Sequence, residues 1–482
     1  MSKPAALDVD DIQGIVLHGY PKLRFVRYFF LRFGDAAKAR KWISTVTNDV
    51  TTIRRADTGP DKAVHLGLTF TGLRSLGALD PELNTFPTSF QQGMTSESST
   101  DQTAPWDFGR PGPEVHAVVL AYDVDEQRLK DADKGFADTA TAADISIVRS
   151  ESGYRPEDSR EHFGFRDGIS DPVVEGSGKE APAGQRPIRA GEFILGYANE
   201  YDELPSSPTV PGGLDPDGIL FVDRSNSGFR DLGRNGTYLV VQKLRQKVGA
   251  FWRFCDENSA AVAGDSQRQR AIHLAACLVG RWPDGAPLVK FPDAEPAEYD
   301  SDEDFSFRGD QRGHRCPFGA HVRRANPRDD LRPDPEQSMR ESRRHRLIRR
   351  GRSYGPRLPQ WPYTGEDDVD RGLLFVAINA SIHRQFEFVQ QTWIDNPKFR
   401  DLYDDPDPIV GMSPSIGGET NSGGRRHFTI QKSPVRARLR NLPSFVELRG
   451  GAYFFLPSIR GLRYLARGSY AEPGRVAIET VL

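Results

Sequence analysis

The chain has 482 residues, a length that ordinarily corresponds to about two to four domains. Its 64 basic and 67 acidic side chains leave a formal net charge of −3, which argues against a dedicated nucleic-acid-binding protein, since such proteins are usually basic. Three cysteines and no Cys-x-x-Cys argue against a disulfide framework. We find neither a signal-peptide core nor an apolar run of roughly 18 residues, and therefore expect a cytoplasmic protein with no membrane association.

The first part of the chain predicts strands that alternate with helices. Segments rich in β-branched and aromatic side chains predict strands at residues 24–33, 63–70, 116–123 and 145–150. Asp35 is placed to cap a helix after the first strand. A short helix follows the second strand, and a charged helix from Asp125 to about Asp138 follows the third.

The second part of the chain repeats this order. Strands are predicted at 237–244 and 373–380, and each is followed by a helical pattern. Residues 445–456 are predicted to be a closing pair of strands with Gly450-Gly451 as the turn. The fold class predicted from this pattern is α+β, with two halves that each form a mostly antiparallel sheet covered by helices.

A first candidate site segment is the stretch from Gly164 to Gly168, in which Asp167 precedes the second glycine. Glycines reduce backbone crowding, so such an aspartate can approach a flat ligand closely. The alternative is a plain turn, because Asp and Gly dominate turns in general. Taken alone, this segment favours the plain turn.

A second candidate is His321 in the segment CPFGAHVRRANP. Neutral imidazole is the commonest side-chain ligand for iron and other borderline metals. A zinc site would need more Cys and His ligands than Cys316 and His314 provide, whereas haem iron can be held by one axial histidine. A histidine considered alone is still more often structural than a ligand.

The third candidate is the arginine-dense stretch HRLIRRGRSYGP, residues 345–356, which ends a run of arginines that begins at Arg308. Such a run is most often a solvated surface loop. Its functional interpretation is a fixed cation that faces an anionic group. A nucleic-acid patch is the less favoured alternative, because the chain as a whole is slightly acidic.

Together and in this order, the three segments resemble those of the dye-decolorizing peroxidases. EHFGFRDGISDPVVEG is similar to the family's distal Gly-x-x-Asp-Gly segment, CPFGAHVRRANPR to its proximal histidine segment, and HRLIRRGRSYGP to the segment of its distal arginine. RGLLFVAINASI and FVELRGGAYFFLPSIRGL resemble its late strands, and DIQGIVLHGY its opening. The resemblance spans nearly the whole chain.

The resemblance implies a fold of two ferredoxin-like domains, with residues 1–225 carrying the distal segment and residues 226–482 binding haem. It implies haem b as cofactor, one iron-protoporphyrin per chain. His321 would be the axial ligand of the iron, Asp167 the distal acid and Arg349 the distal cation.

Further site residues follow from the same resemblance. Leu373 and Phe375 share one face of their strand and resemble the apolar pair that lines the family's peroxide pocket. Arg323 would meet a haem propionate. The pattern Ile-Arg-Arg-Gly favours Arg349 over its neighbour as the distal cation. Asp171 stands where many relatives have a neutral amide, and in a helix it would face Asp167 or else cap the segment before the following proline.

The implied function is that of a haem peroxidase that reduces hydrogen peroxide and, through a ferryl intermediate, oxidises small organic donors such as dyes and phenolic compounds. A carboxylate acid–base group has a reference pKa of about 3.9 against about 6.5 for histidine, so we predict that peroxide activation survives in mild acid. If bulky dyes do not reach a buried haem, electrons would pass through a surface Trp or Tyr such as Trp361 or Tyr354. The alternative for most of these aromatics is a role in core packing.

Two other functions compete with this one. The first is a haem-binding or haem-handling protein of the same fold with little turnover. The second is a haem-free hydrolase that uses Asp167 and Asp171 as an acid–base pair, but the carboxylates of glycosidases usually come from separate elements. The presence of all three residues His321, Asp167 and Arg349 favours the peroxidase. The oligomeric state is left open.

Overall fold

The computed structural model describes residues 6–94, 106–109, 112–181, 185–299, 304–331, 334–359, 365, 367–411 and 426–468. Its strands are β1 (Phe25–Phe33), β2 (Lys62–Leu68), β3 (Ala117–Asp123), β4 (Ile145–Tyr154), β5 (Thr209–Pro211), β6 (Phe221–Val222), β7 (Phe229–Asp231), β8 (Thr237–Gln246), β9 (Ile348–Arg349), β10 (Arg352–Tyr354), β11 (Gly372–Asn379), β12 (His427–Ile430), β13 (Ala437–Arg440) and β14 (Val446–Leu456).

The α-helices are α1 (Ala36–Thr47), α2 (Ile53–Asp57), α3 (Phe70–Ser75), α4 (Asp80–Leu83), α5 (Thr88–Gln92), α6 (Glu126–Ala142), α7 (Val248–Glu257), α8 (Gln267–Val279), α9 (His321–Ala325), α10 (Pro335–Arg344) and α11 (Ile459–Arg467). The Asp35 side chain accepts a hydrogen bond from the Lys38 backbone N–H and caps α1, as predicted. The helix predicted after β11 is present, but it is π-helical over His383–Glu387 and Val389–Ile394. None of the described helices combines the length and the apolar composition that crossing a bilayer requires.

The main sheet is antiparallel and has the strand order β10-β4-β1-β3-β2-β14-β8-β11-β9. Because β10 also pairs with β11, the sheet closes on itself. The strands lie in an equivalent spatial order in the two halves. This order is β4-β1-β3-β2 in the first half and β14-β8-β11-β10 in the second. The halves join through the pairs Phe455–Leu68 and Ser353–Tyr154.

The predicted α+β class with antiparallel sheets and covering helices is confirmed. The two halves do not form separate sheets, however, because their edge strands pair with one another. An unpaired edge exposes backbone N–H and C=O groups, and each of the two junctions covers its edge strands at one residue pair. Residues 225 and 226 fall in the polar stretch between the halves, which contains a small sheet of order β5-β7-β6.

The core follows from the alternation of side chains along the strands. One face of the closed sheet encloses a cluster that includes Val26, Tyr28, Phe30, Leu239, Val241, Leu374 and Val376. The opposite face packs against helices and includes Phe29, Leu31, Phe33, Tyr238, Val240 and Ala377. Successive residues therefore serve two different cores, as the period of two requires.

The predicted turn at Gly450-Gly451 is wrong, since both glycines lie inside the continuous strand β14. The pairing of β14 with β8 shifts between Leu448 and Gly450, as in a β-bulge. A Cβ on Gly450 would lie 2.9 Å from Cδ1 of Phe108, and one on Gly451 would lie 2.3 Å from Sδ of Met94. The glycines thus permit close packing against the segment that precedes β3, and they do not reverse the chain.

Candidate active site

The sequence-predicted residues His321, Asp167, Arg349, Leu373 and Phe375 all line one cavity of about 350 Å³. The cavity lies on one face of β14, β8 and β11, where Leu244 pairs with both Leu373 and Leu448. Its remaining walls come from α9, the π-helical segment and the loop after β4. Its apolar lining includes Leu244, Val279, Val322, Phe386, Val389 and Ile394.

His321 is the first residue of α9, and its side chain is 29% exposed towards the cavity. Its ring Nδ1 lies 2.9 Å from Oδ2 of the fully buried Asp407. The other carboxylate oxygen accepts backbone hydrogen bonds from Ile409 and Val410, each at 2.9 Å. With Asp407 ionised, the imidazole proton resides on Nδ1, so Nε2 is the nitrogen with a free lone pair.

Asp407 is held in its charged form by its surroundings. Burial by itself would raise the pKa of its carboxyl. The facing His321 and the hydrogen bonds from His321 and Val410 outweigh burial and lower that pKa below its ordinary value. Sequence reasoning missed Asp407, because the residue lies 86 positions after its partner and the surrounding Asp-Pro repeats carry no recognisable ligand pattern.

Asp167 lies in the loop after β4, between Gly164 and Gly168, which have φ values of 96° and 77°. These left-handed conformations suit glycine. The Asp167 backbone N–H donates to the Ser159 carbonyl at 2.9 Å and fixes the loop. The Asp167 side chain is 46% exposed, and its Oδ1 lies 3.8 Å from Nη2 of Arg349.

Arg349 and Arg350 play different structural roles. The Arg349 guanidinium lines the cavity, and its Nη2 donates to Oγ of Ser170 at 2.9 Å. Arg350 is buried, and its Nε and Nη2 donate to the carbonyls of Ile15 and Val16 at 2.9 and 3.1 Å. The structure therefore places Arg349 in the cavity, while Arg350 anchors the N-terminal segment.

Asp171 does not face Asp167, because the loop that carries both residues is not helical. One of its carboxylate oxygens forms an ion pair with Arg350. The other accepts the Arg349 backbone N–H at 3.3 Å. The expectation of two opposed carboxylates is thus corrected: Asp171 binds the arginine segment.

The expected contact of Arg323 with a haem propionate is also corrected. Its side chain is fully buried, and it donates through Nε, Nη1 and Nη2 to Asp310, Asp330 and the Cys316 carbonyl. These five hydrogen bonds use all five of its N–H donors. Residues two apart in an α-helix point about 200° apart, so Arg323 cannot share the cavity face of His321. The additional arginines that line the cavity are Arg166, Arg281, Arg328 and Arg346.

Glu161 is a further cavity-lining acid that sequence reasoning missed. Its carboxylate accepts the backbone N–H groups of Phe163 and Phe165 at 2.8 and 2.9 Å and the side-chain amide of Gln246 at 2.7 Å. Burial raises the pKa of Glu161 to about 7 despite these hydrogen bonds. Through its hydrogen bonds to the Phe163 and Phe165 backbone, Glu161 holds the start of the loop that carries Asp167.

The comparison with known proteins rests on full-length similarity. No family model matches the chain. A dye-decolorizing peroxidase of Mycena epipterygia is 30% identical over 500 residues, covering 96% of this chain and 87% of the relative. The chain belongs to the dye-decolorizing peroxidase family. The multifunctional dye peroxidase DyP2 of Amycolatopsis sp. is 29% identical over 485 residues, with 96% of each chain covered.

Solved structures of this family match the fold along the whole chain. The crystal structure of a DyP-type peroxidase from Auricularia auricula-judae superposes with a TM-score of 0.78 at 28% identity, covering 96% of this chain and all of that one. A dye-decolorizing peroxidase in complex with 2,6-dimethoxyphenol gives 0.77 at 26% identity, with 95% and 100% covered. The family resemblance drawn from the sequence motifs is confirmed.

Proposed function

We propose that the protein is a haem-dependent peroxidase that holds one haem b on His321. The observation that carries this proposal is the His321–Asp407 pair, which directs a lone pair of the imidazole into an apolar cavity that Asp167 and Arg349 also line. Members of this family bind haem, and haem iron can be held by a single axial histidine.

The residues of the cavity fit a haem group. Haem iron can be held by one axial histidine, and metal-bound histidines almost always donate their other N–H to a carboxylate or carbonyl, as His321 does to Asp407. The sheet face beneath the cavity is mostly apolar, which suits the macrocycle: Leu244, Leu373, Phe375, Val446 and Leu448 line it beside the polar Gln242 and Gln246. Arg281 and Arg328 on the cavity wall supply cations for propionates, the role expected of Arg323 from the sequence.

Bound haem would supply the iron that receives peroxide and the oxidising equivalents that an organic donor later removes. Asp167 accepts a proton from one peroxide oxygen and delivers it to the other, so that water can leave. Proton transfer by such a positioned group contributes about 10²–10⁴-fold in rate. Arg349, held through its Nη2 by Ser170, stabilises the negative charge that develops on the departing oxygen.

The proposed substrates are hydrogen peroxide and small organic donors such as dyes and phenolic compounds. The names of the relatives and the 2,6-dimethoxyphenol complex of one of them support this class. Tyr354 is 4% exposed and therefore cannot be the surface electron-entry residue suggested by the sequence. Trp361 lies outside the described residues.

The cellular location and the domain division are also proposals. We propose a cytoplasmic location and a division of the chain into residues 1–225 and residues 226–482, with haem in the second part. The position of the cavity against β14, β8 and β11 supports haem binding by the C-terminal half.

The proposal is tested by the visible spectrum of the haem-reconstituted protein before and after one equivalent of hydrogen peroxide. We expect a Soret band that shifts within seconds in the wild type and is lost or much altered in His321→Ala. His314→Ala, which removes an exposed histidine in the same segment, should behave like the wild type. A normal Soret band that ignores peroxide would favour the haem-handling alternative, and no haem uptake by the wild type would refute both.

A further inference from the structure

Two buried arginines donate hydrogen bonds to backbone carbonyls at or near Asp407. The first of them is Arg324, in helix α9. Its side chain is fully buried. Nη1 donates to the carbonyls of Trp393 and Asn396 at 2.6 and 3.0 Å, and Nη2 donates to the carbonyl of Asp405. Arg324 thus caps the end of the π-helical segment that forms one wall of the cavity.

The second arginine is Arg426, which is 3% exposed. Its Nη2 donates to the Asp407 carbonyl at 2.6 Å, and its Nη1 donates to the Pro443 carbonyl at 3.1 Å. Arg426 therefore binds the backbone of the same residue whose carboxylate holds His321.

A shared carbonyl links Arg324 to the same residue. The Ile394 carbonyl accepts the backbone N–H of Asp407 at 2.8 Å and Nη1 of Arg324 at 3.4 Å. Arg324 therefore contacts the carbonyl that binds the Asp407 N–H, and Arg426 binds the Asp407 carbonyl directly. Together they fix the backbone of Asp407 on both sides. Their positive charges are both attracted by the Asp407 carboxylate.

The charge balance of these arginines differs from that of their neighbour Arg323. Arg323 binds two carboxylates, whereas within the described part of the chain Arg324 and Arg426 donate to carbonyl oxygens only. Removing a guanidinium from water without a directly bonded acid is costly. Burial accordingly lowers the pKa of each arginine to about 10, and both remain charged at neutral pH. Hydrogen bonding to carbonyls alone would not require a cation at either position.

We propose that Arg324 and Arg426 are positioning residues that act through Asp407 and raise the reduction potential of an iron bound at Nε2 of His321. This inference rests on the proposed haem function. It goes beyond that function by assigning control of the iron's electron affinity to two residues that do not line the cavity.

The sign of the effect follows from electrostatics. A carboxylate that accepts the imidazole N–H makes the ligand more basic, which stabilises the ferric state. The positive charges of the two arginines stabilise the ionised Asp407 carboxylate, so this carboxylate attracts the imidazole proton less strongly and His321 is a less basic ligand. Their own positive charges also favour the ferrous state, which carries one positive charge fewer, and burial leaves this interaction poorly screened. Both contributions raise the potential.

The test measures the ferric–ferrous midpoint potential by spectroelectrochemistry in haem-loaded wild type, Arg324→Gln and Arg426→Gln. Glutamine keeps one amide donor for the carbonyls and removes the charge. We expect both variants to have lower potentials and a higher iron–histidine stretching frequency in the ferrous Raman spectrum, because His321 becomes a stronger ligand. Arg324→Lys and Arg426→Lys keep the charge and should stay near the wild type.

Arg352→Gln is the matched control, since Arg352 is also a buried arginine that donates to carbonyls, here those of Gly19 and Tyr20. A glutamine variant with an unchanged potential, or an equal shift in Arg352→Gln, would overturn the proposal. Each arginine gives an independent pair of variants, so one variant that does not fold leaves the other decisive. Wild type that takes up no haem would instead overturn the proposed function and this inference with it.

Discussion

The imidazole Nδ1 of His321 and the carboxylate Oδ2 of Asp407 lie 2.9 Å apart, and the carboxylate is fully buried. This pair fixes the orientation of the ring and the nitrogen that carries its proton. It also makes the histidine a stronger donor to a metal than an unsupported imidazole.

Asp407→Asn should weaken haem binding by about 10–100-fold, the usual effect of losing the outer partner of a ligating histidine. The substitution preserves the size of the side chain but removes its charge. Haem titration of the apoprotein, followed by the Soret band, measures the change. Asp404→Asn alters a half-exposed carboxylate in the same segment and should leave the affinity unchanged. Equal affinities in wild type and Asp407→Asn would contradict the role of the pair.

Asp167→Asn should slow the reaction with hydrogen peroxide by about 10²–10⁴-fold while leaving the resting haem spectrum unchanged. Stopped-flow absorbance at the Soret band measures the rate. Asp158→Asn is the control, because its side chain has nearly the same exposure, 47% against 46%. In Asp167→His, the rate of the peroxide reaction should decrease at pH values under about 6.5, where histidine becomes protonated. The wild-type rate should persist in mild acid. Similar pH profiles for both proteins would argue against a carboxylate acid–base group.

Ser170→Ala should reduce the peroxide rate by about tenfold, which corresponds to about 1.4 kcal/mol, near the lower end of the effect of a hydrogen bond to a charged group. The serine Oγ is the acceptor that holds Nη2 of Arg349. The same stopped-flow measurement applies, with Ser177→Ala as the control in the same loop. A rate equal to that of the wild type would show that Ser170 does not determine the position of Arg349.

Glu161→Gln should change the pH dependence of stability in the apoprotein. The ordinary pKa of this carboxyl is near 4.5, and burial raises it to about 7 in the folded chain. Between these values the folded protein holds a proton that the unfolded chain has released. The contribution of this group to stability is therefore complete below pH 4.5 and is lost as the pH rises through about 7.

Urea unfolding at a series of pH values measures this effect. The wild-type free energy of unfolding should fall more steeply across that pH window than that of Glu161→Gln, because all other titrating groups are common to both proteins. Glu157→Gln, which changes a carboxylate that is 84% exposed, should follow the wild type. Parallel pH curves for wild type and Glu161→Gln would rule out the shifted carboxyl.

Gly109→Ala should destabilise the fold by about 2–3 kcal/mol, since the added Cβ would overpack against backbone. That Cβ would lie 2.0 Å from the carbonyl oxygen of Gly451 in the bulged strand β14, and Gly109 has a φ of 83°. Gly135→Ala, in α6 with open space around the added carbon, should instead stabilise by about 0.5–1 kcal/mol. Thermal unfolding compares the two, and a neutral Gly109→Ala would contradict the packing described for β14.

The sequence by itself determined the elements with strong local patterns and the family of the chain. The β-branched and aromatic composition of β1 and the capping of α1 by Asp35 depend on residues within one strand or one turn, so both can be recognised in the sequence. The turn predicted at Gly450-Gly451 failed because glycine also serves close packing, and the neighbouring Phe108 and Met94 approach from a distant segment.

Only the tertiary structure decided how the site is assembled. It separated Arg349 in the cavity from Arg350 on the N-terminal segment, buried Arg323 between two carboxylates, and brought Asp407 to His321. These outcomes depend on contacts between residues far apart in the chain. Side-chain type and local spacing determine what a residue can bind, whereas the packing of the closed sheet and its helices determines which partner it contacts.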